Sequence, residues 1–493
     1  MTHEALLPPD RLAALREALT RADFTSAGIA ARLGPDATAA TRRNDFRAAL
    51  RKTGSGDALD TLIRIFIAGQ TEPRAAVEPT LDIADAIGIG LLVEAEGGYT
   101  AGLDLEPYGD DAWIVADLPA ERQAGPLPMD HVLGVGAASE TLANAIIRDP
   151  VGRALDVGTG CGVQAVRLSQ HATHVTATDL SQRALRFAAT TAGLSNLSWD
   201  LRQGDMTKPV QGEKFDLIVS NPPFVAGPGV ATHTYRDSGR PGDAICAELA
   251  DASRNLLTDG GTIQFLANWL HIAGEDWADR VAGWFAGSGM DLWVVQREVS
   301  DPMSYVDMWL TDAAEDADPR RAAAWLDWFD AHKVEAIGFG LVTAKNNHQT
   351  HPAVRVETLR QPVAHPFGPE VAKWFDRQDW LRDKTLDELL DTRYRAAAGL
   401  RLQQDAGWTA DGWEVEAQNL VQTAGLGWTE EVDPVTLALV SGADGAVNLR
   451  DQLIVLEAAY DVAPGTLSAS AGLIVSHLVE RAFLIPVEMA DQR

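Results

Sequence analysis

For its middle portion this sequence predicts an α/β fold around a mostly parallel sheet, and two observations carry the prediction. From about residue 150, short segments rich in β-branched and aromatic residues alternate with helical patterns, the order that parallel strands with crossover helices require. A glycine-rich turn and a proline corner then each follow one of those strands, at the carboxyl ends where open α/β sheets bind ligands.

The predicted strands are RALDV (153–157), HVTATD (174–179), LSWDLR (197–202), FDLIVS (215–220), GTIQFLA (261–267) and DLWVVQR (291–297), with helical stretches such as SQRALRFAATTAGL between them. A last strand, AIGFGLVTAK (336–345), follows the amphipathic segment DPRRAAAWLDWFDAHK, whose helix opens at a proline. The catalytic-looking domain is therefore expected at residues 129–346. Residues 1–128 read as an accessory α+β domain: helical patterns near 10–21, 39–52 and 58–68, then strands around a Gly97-Gly98 turn, an order resembling a winged helix. AGPLPM is the expected linker. Residues 347–493, with LDELLDTRYRAAAGLRLQQ, LRDQLIVLEAAYDV and SAGLIVSHLVERAFLIPVE, read as a mainly helical C-terminal domain ending in a strand.

The chain of 493 residues is 46% hydrophobic and 23% charged, enough apolar material for several buried cores. No apolar run reaches the roughly 18 residues of a membrane span, and the opening lacks the order of a signal peptide, so a cytoplasmic protein with no membrane partner is expected. The two cysteines and eleven histidines show no ligand spacing, which predicts no metal. A formal charge of −29 repels phosphate backbones unless a local basic patch overcomes it.

ALDVGTGCGVQAVRLS (154–169) is a strand, a glycine turn and a helix start. Gly158, Gly160 and Gly162 permit a tight turn and close approach of a ligand, and Thr159 and Cys161 lie between them. The spacing is G-x-G-x-G rather than the G-x-G-x-x-G of a dinucleotide site. Asp179, 23 positions after Asp156 and followed by Leu180, ends the next strand, where a carboxylate can accept both ribose hydroxyls. Asp205 and Met206 end the third strand, as candidates for an adenine amine and ring. Asn221-Pro222-Pro223-Phe224 ends the fourth. Proline holds the preceding Asn221 extended, and two residues without N–H leave carbonyls and the Asn221 side chain as fixed acceptors. Such acceptors suit an NH₂ group on a planar substrate that Phe224 covers by stacking.

Together DVGTGCG, TATDLS, GD and SNPPF, in that order over about residues 129–300, resemble class I S-adenosylmethionine-dependent methyltransferases of the NPP[FY] type, the group of the small-methyltransferase-domain RNA enzymes and the release-factor glutamine methyltransferases. The resemblance implies a Rossmann-like core with a seven-stranded sheet whose last strand is antiparallel, and S-adenosyl-L-methionine as cofactor. It places Asp156, Gly158, Gly160 and Gly162 at the amino-acid part of the donor, Asp179 at its ribose, Asp205 at its adenine, and Asn221 to Phe224 at the nitrogen to be methylated. DHVLGVGAASETLANAI (130–146) looks like the segment that lines both pockets in these enzymes, with Glu140 and Thr141 as contacts. In the loop THTYRDSGRPGDAIC (232–246), Tyr235, Arg236 and Asp237 are candidate substrate contacts, and Gly239 and Gly242 would let it move.

Three readings of the function follow. In the first, the acceptor is a base amine of ribosomal or transfer RNA, with Arg42, Arg43, Arg47, Arg51 and Lys52 available to phosphates. In the second it is a glutamine amide of a translation factor or ribosomal protein, for which an acidic surface is no handicap. In the third the chain binds the donor without transferring it. The flanking domains, longer than the release-factor pattern, favour RNA.

Overall fold

The computed structural model describes residues 3–54, 56–123, 127–231, 233–312 and 319–490. Ala124 to Pro126 of the expected linker and Thr232 of the acceptor loop lie outside these. Two compact units are present: one comprises residues 1–143 and 148–359, the other residues 144–147 and 360–493.

The first unit is organised by one sheet. Its strands are β1 (Val151–Val157), β2 (Ala172–Asp179), β3 (Asp200–Gln203), β4 (Phe215–Ser220), β5 (Leu257–Ile272), β6 (Asp291–Ser300), β7 (Val334–Lys345) and β8 (Val354–Thr358), in spatial order β8-β6-β7-β5-β4-β1-β2-β3. All neighbours pair in parallel except β7, which runs antiparallel to both β5 and β6. The sheet is thus mixed and eight-stranded, one strand more than the seven expected. The eighth, VRVET, was illegible because it is a partly exposed edge strand with alternating charges instead of an apolar run. Glu357 Oε1 nonetheless accepts from the buried Trp293 Nε1 at 2.9 Å, so the sheet continues beyond residue 346.

Central strands are buried on both faces: Phe215, Leu217, Ile218 and Val219 of β4 are almost inaccessible. Helices α1 (Val163–Leu168), α2 (Gln182–Leu194), α3 (Ala244–Leu256), α4 (Pro302–Asp312) and α5 (Pro319–Ala331) supply the connections. Helix α2 starts where Ser181 Oγ accepts from Ala184 N, a side-chain cap two residues after Asp179.

The N-terminal residues share a core with this sheet. Leu19, Phe24, Phe66 and Trp113 pack in one apolar cluster with Val163, Phe187 and Leu194. Trp113 Nε1 donates to Phe24 O at 2.7 Å, and Val115 N to Thr191 Oγ1 of α2 at 3.3 Å. Instead of one winged hairpin there are two separate ones, Leu92–Ala95 with Gly98–Ala101 and Asp104–Tyr108 with Ala112–Ala116.

The second unit combines helices, among them Gly368–Arg382, Leu449–Ala459 and Thr466–Glu480, with two three-stranded sheets. A mainly helical reading fails at LDELLDTRYRAAAGLRLQQ. Only Leu386–Asp391 is helical there, Arg393–Ala396 is a strand, and Leu400–Thr409 begins a long hairpin whose exposed, polar-rich sequence lacks a strand's usual apolar alternation.

Asp104 and Glu106 sit two residues apart on one strand and face the Gly134-Val135 backbone, where Glu106 Oε1 accepts from Val135 N at 3.2 Å. Burial, together with Asp104's charge, pushes Glu106 up to about 8, and burial pushes Asp104 up to about 6. A raised carboxyl pKa means the folded state binds more protons than the unfolded one, so stability is lost as pH rises through this window. The melting temperature of the wild type should therefore fall between about pH 5 and pH 8 more steeply than that of Glu106→Gln. Parallel curves in a differential-scanning series would refute this.

Candidate functional site

The carboxyl ends of β1, β2 and β4 open on a cavity of about 220 Å³. At its floor the chain leaves β1 through a turn in which Gly158, Gly160 and Gly162 have φ of 74°, 57° and 96°, the left-handed region. Gly158, Thr159, Gly160 and Cys161 line the cavity, whereas Gly162 does not; a Cβ there would lie 2.6 Å from the Trp199 ring. Asp156 is fully buried behind the turn, accepts from Thr159 Oγ1 at 2.7 Å and is absent from the lining, so it braces the turn rather than reaching the cavity. Burial pushes its carboxyl up to about 7. The Cys161 thiol donates to Leu133 O at 3.1 Å, and burial pushes its pKa up.

Asp179 lines the cavity from the end of β2. Its two oxygens accept from Gly160 N at 2.9 Å and Ser181 N at 2.8 Å, which ties the glycine turn to the start of α2. Burial raises its pKa against the pull of these N–H groups. Leu180, 59% exposed, and Met206, at φ 50°, complete that wall. Asp205 also lines it; burial opposes ionisation, but ion pairs with Lys208 at 2.8 Å and Arg240 at 2.9 Å hold its carboxyl below the usual range.

Across the cavity stands the proline corner. Asn221 Nδ2 donates to Ser139 Oγ at 3.4 Å, while its buried Oδ1 has no hydrogen-bond partner among the described residues. The Pro222 carbonyl is not free as expected: Phe224 N donates to it at 2.7 Å, closing a tight turn. Pro223 lines the cavity; Pro222 and Phe224 do not. The Phe224 ring turns inward and packs on Phe339 at 5.5 Å and Trp309 at 6.2 Å, so it supports the corner from below instead of covering a ligand. Ala226 next to it is held by Tyr305 Oη, which accepts its N–H at 2.8 Å, and by Trp325 Nε1, which donates to its carbonyl at 2.9 Å.

Of the remaining sequence candidates, Tyr235 and Asp237 line the cavity. Tyr235 donates to Asp312 Oδ2 at 3.1 Å, and Asp237 accepts from His233 N at 2.9 Å. Arg236 is 2% exposed and bonds the Trp309 carbonyl, a structural role. Glu140 and Thr141 are not among the lining residues, Thr141 donating to Ala137 O at 2.8 Å on its own helix. Gly242 N donates to Gly227 O at 2.9 Å, so that glycine is a fixed turn and no hinge.

Lining residues that sequence reading did not single out include His131, Ser139, Gln164 and Arg240. Gln164 Nε2 donates to Ser139 O at 2.9 Å, leaving Oε1 buried and without a partner among the described residues, as is His131 Nε2. His131 lies 3.5 Å from Asp117, which also pairs with Arg183, and burial lowers its pKa. Asn221 Oδ1, Gln164 Oε1 and His131 Nε2 are thus buried polar atoms on the cavity wall that a polar ligand could satisfy. No group of His, Cys, Asp or Glu among the described residues could hold a metal, and no described helix is long and apolar enough to cross a membrane.

Residues 133–273 match the model of the methyltransferase small domain, and residues 21–102 and 372–486 match two domains of unknown function, DUF7059 and DUF7782. The chain is 31% identical over 170 residues to ribosomal RNA small subunit methyltransferase C of Salmonella arizonae, covering 33% of this chain and 44% of the relative. It is 34% identical over 179 residues to the ribosomal protein uL3 glutamine methyltransferase of Bradyrhizobium diazoefficiens, covering 34% and 53%. To the release factor glutamine methyltransferase of Lactococcus lactis it is 34% identical over 125 residues, covering 22% and 44%. The matches thus span about half the length of these relatives. Residues 133–273 are thus similar to a methyltransferase small domain, and most of the residues lining the cavity fall within them.

Gly162→Ala should destabilise the protein by about 2–4 kcal/mol, since it combines left-handed strain with overlap against Trp199. Urea unfolding measures it; a loss near zero would mean that the turn relaxes freely.

Proposed function

We propose that the protein is an S-adenosyl-L-methionine-dependent N-methyltransferase acting on a planar amino or amide nitrogen. The observation that carries this reading is Asn221 Oδ1, buried on a rigid corner beside the glycine turn with no partner among the described residues. An unsatisfied buried acceptor costs about 1–3 kcal/mol, and an N–H of the target nitrogen would relieve it.

The chain's residues fit the donor. Gly158 and Gly160 let the backbone approach its amino-acid end, Gln164 Oε1 is an acceptor suited to its ammonium group, and Asp179 has the carboxylate for its ribose hydroxyls. Asp205 and Met206 would meet the adenine. When bound, the donor supplies an electrophilic methyl group on sulfur. Asn221 holds one N–H of the acceptor, which aims the nitrogen lone pair and takes up part of the positive charge that develops on nitrogen. Pro222, Pro223 and Phe224 act by fixing Asn221, and Tyr235 and Asp237 border the acceptor's side.

For the acceptor, a base amine of ribosomal or transfer RNA is the favoured reading. Arg42, Arg43, Arg51 and Lys52 are exposed and form no ion pair among the described residues, leaving a basic patch on an acidic chain, whereas Arg47 is paired with Asp45 at 2.7 Å. A glutamine amide of a translation protein is the second reading, supported by the 34% identity to two glutamine methyltransferases against 31% to the RNA enzyme.

Labelled methyl transfer into lysate from cells lacking this protein tests both. Asn221→Ala should cut turnover by about 10²-fold. Ribonuclease-sensitive label supports the RNA reading, protease-sensitive label the protein reading, and no transfer to any fraction would leave a donor-binding scaffold.

A further inference from the structure

In the second unit, strands β9 (Leu400–Thr409) and β10 (Gly412–Gln422) form a long hairpin, with β11 (Thr429–Glu431) paired only near the base of β10. Trp408 and Trp413 are directly cross-strand at its tip, with ring centroids 5.5 Å apart, and are 71% and 74% exposed. Pairing in the register Ala406 with Val415 and Leu402 with Leu420 continues the same face toward the base. Val415 is 49% exposed; below it the Gln404–Gln418 pair interrupts the face and Leu420 is buried, so the uncovered apolar patch is the tip, Trp408, Trp413 and Val415. Free-standing strands do not normally spend two tryptophans on water.

The opposite face is acidic. Glu414 stands across from Gly407, and the Glu416 carboxylate, released by a bulge at Asp405/Ala406, lies over Gly407, with Asp405 two residues along. Asp411 is in the turn. Against these four carboxylates the hairpin carries one cation, Arg401, and none of the four is in an ion pair among the described residues. Strand β9 has a single neighbour, β10, which leaves its outer backbone edge open.

These features together specify an occupant. We infer that the β9 edge takes up an extended protein segment of alternating apolar and basic residues. Added as a strand, such a segment places its apolar side chains beside Trp408, with Trp413 and Val415 one strand further across that face, and its Lys or Arg side chains beside Asp405 and, over the bare Gly407, toward the Glu416 carboxylate. Side chains alternate with period two, so one register satisfies both faces at once. Charge decides against the other occupants. RNA phosphates and anionic membranes would meet Asp405, Glu414 and Glu416, and a second copy would set two acidic hairpins in a chain of −29 against each other. The inference is independent of the methyl-transfer reading.

A fluorescent peptide of alternating lysine and valine, titrated into the full chain by anisotropy, tests it against a peptide of the same composition in lysine pairs and valine pairs. The alternating peptide should bind at least tenfold more tightly than the paired one. Trp408→Ser with Trp413→Ser, and separately Glu414→Gln with Glu416→Gln, should each weaken it about tenfold or more, with circular dichroism confirming that the chain remains folded. No binding, equal binding of the two peptides, or binding unchanged in both variants overturns the proposal. So does tighter binding of a single-stranded RNA oligomer or anionic phosphatidylserine vesicles at the tryptophans, or a dimer by sedimentation that the tryptophan variant dissolves.

Discussion

Two hydrogen bonds to one carboxylate organise the cavity. Asp179 ends β2 and accepts from Gly160 N and Ser181 N, so the glycine turn after β1 and the first residues of α2 are fixed to a common point. The left-handed glycines make that approach sterically possible, and Asp156 braces the turn from behind through Thr159. Without Asp179 the turn and the helix start would each keep an unsatisfied N–H, and the wall they build would lose its register.

The corner opposite is built by another route. Its rigidity comes from beneath: Phe224 is wedged against Phe339 and Trp309, and Tyr305 and Trp325 hold both backbone polar groups of Ala226. This leaves little freedom for Asn221, whose amide N–H group is engaged by Ser139 and whose oxygen is left over. An acceptor fixed before its ligand arrives needs no reorganisation during reaction, which is the economical way to stabilise developing charge.

Much of this was legible in the sequence, and the failures are instructive. Apolar runs such as FDLIVS announce themselves because parallel strands are buried on both faces, and glycines and prolines mark the turns after them. Asp179, Asn221, Tyr235 and Asp237 were found by their position at strand ends or in the loop beyond. Direction of side chains was not legible: Phe224 turned inward, Arg236 was buried against Trp309, and Glu140 and Thr141 lie one and two residues past Ser139, which does line the cavity. Within one helical turn, a shift of one residue rotates a side chain by about 100°, and no local pattern fixes that phase. The edge strand β8 and the hairpin β9–β10 escaped because solvent-facing strands need not alternate in the way that packing imposes. His131 and Arg240 fall in the two segments expected at the pocket, 130–146 and 232–246, but which of their residues face it was not legible, and Gln164 on α1 is brought there only by tertiary contacts.

On the proposed function, donor and acceptor are held by different walls, Asp179 with the glycine turn on one side and Asn221 on the other. Calorimetric titration of S-adenosyl-L-methionine into wild type, Asp179→Ala and Asn221→Ala tests it most directly. Asp179→Ala should weaken binding by about tenfold or more, while Asn221→Ala should bind nearly as wild type. Equal affinity in the wild type and Asp179→Ala, or no binding to the wild type, would contradict it.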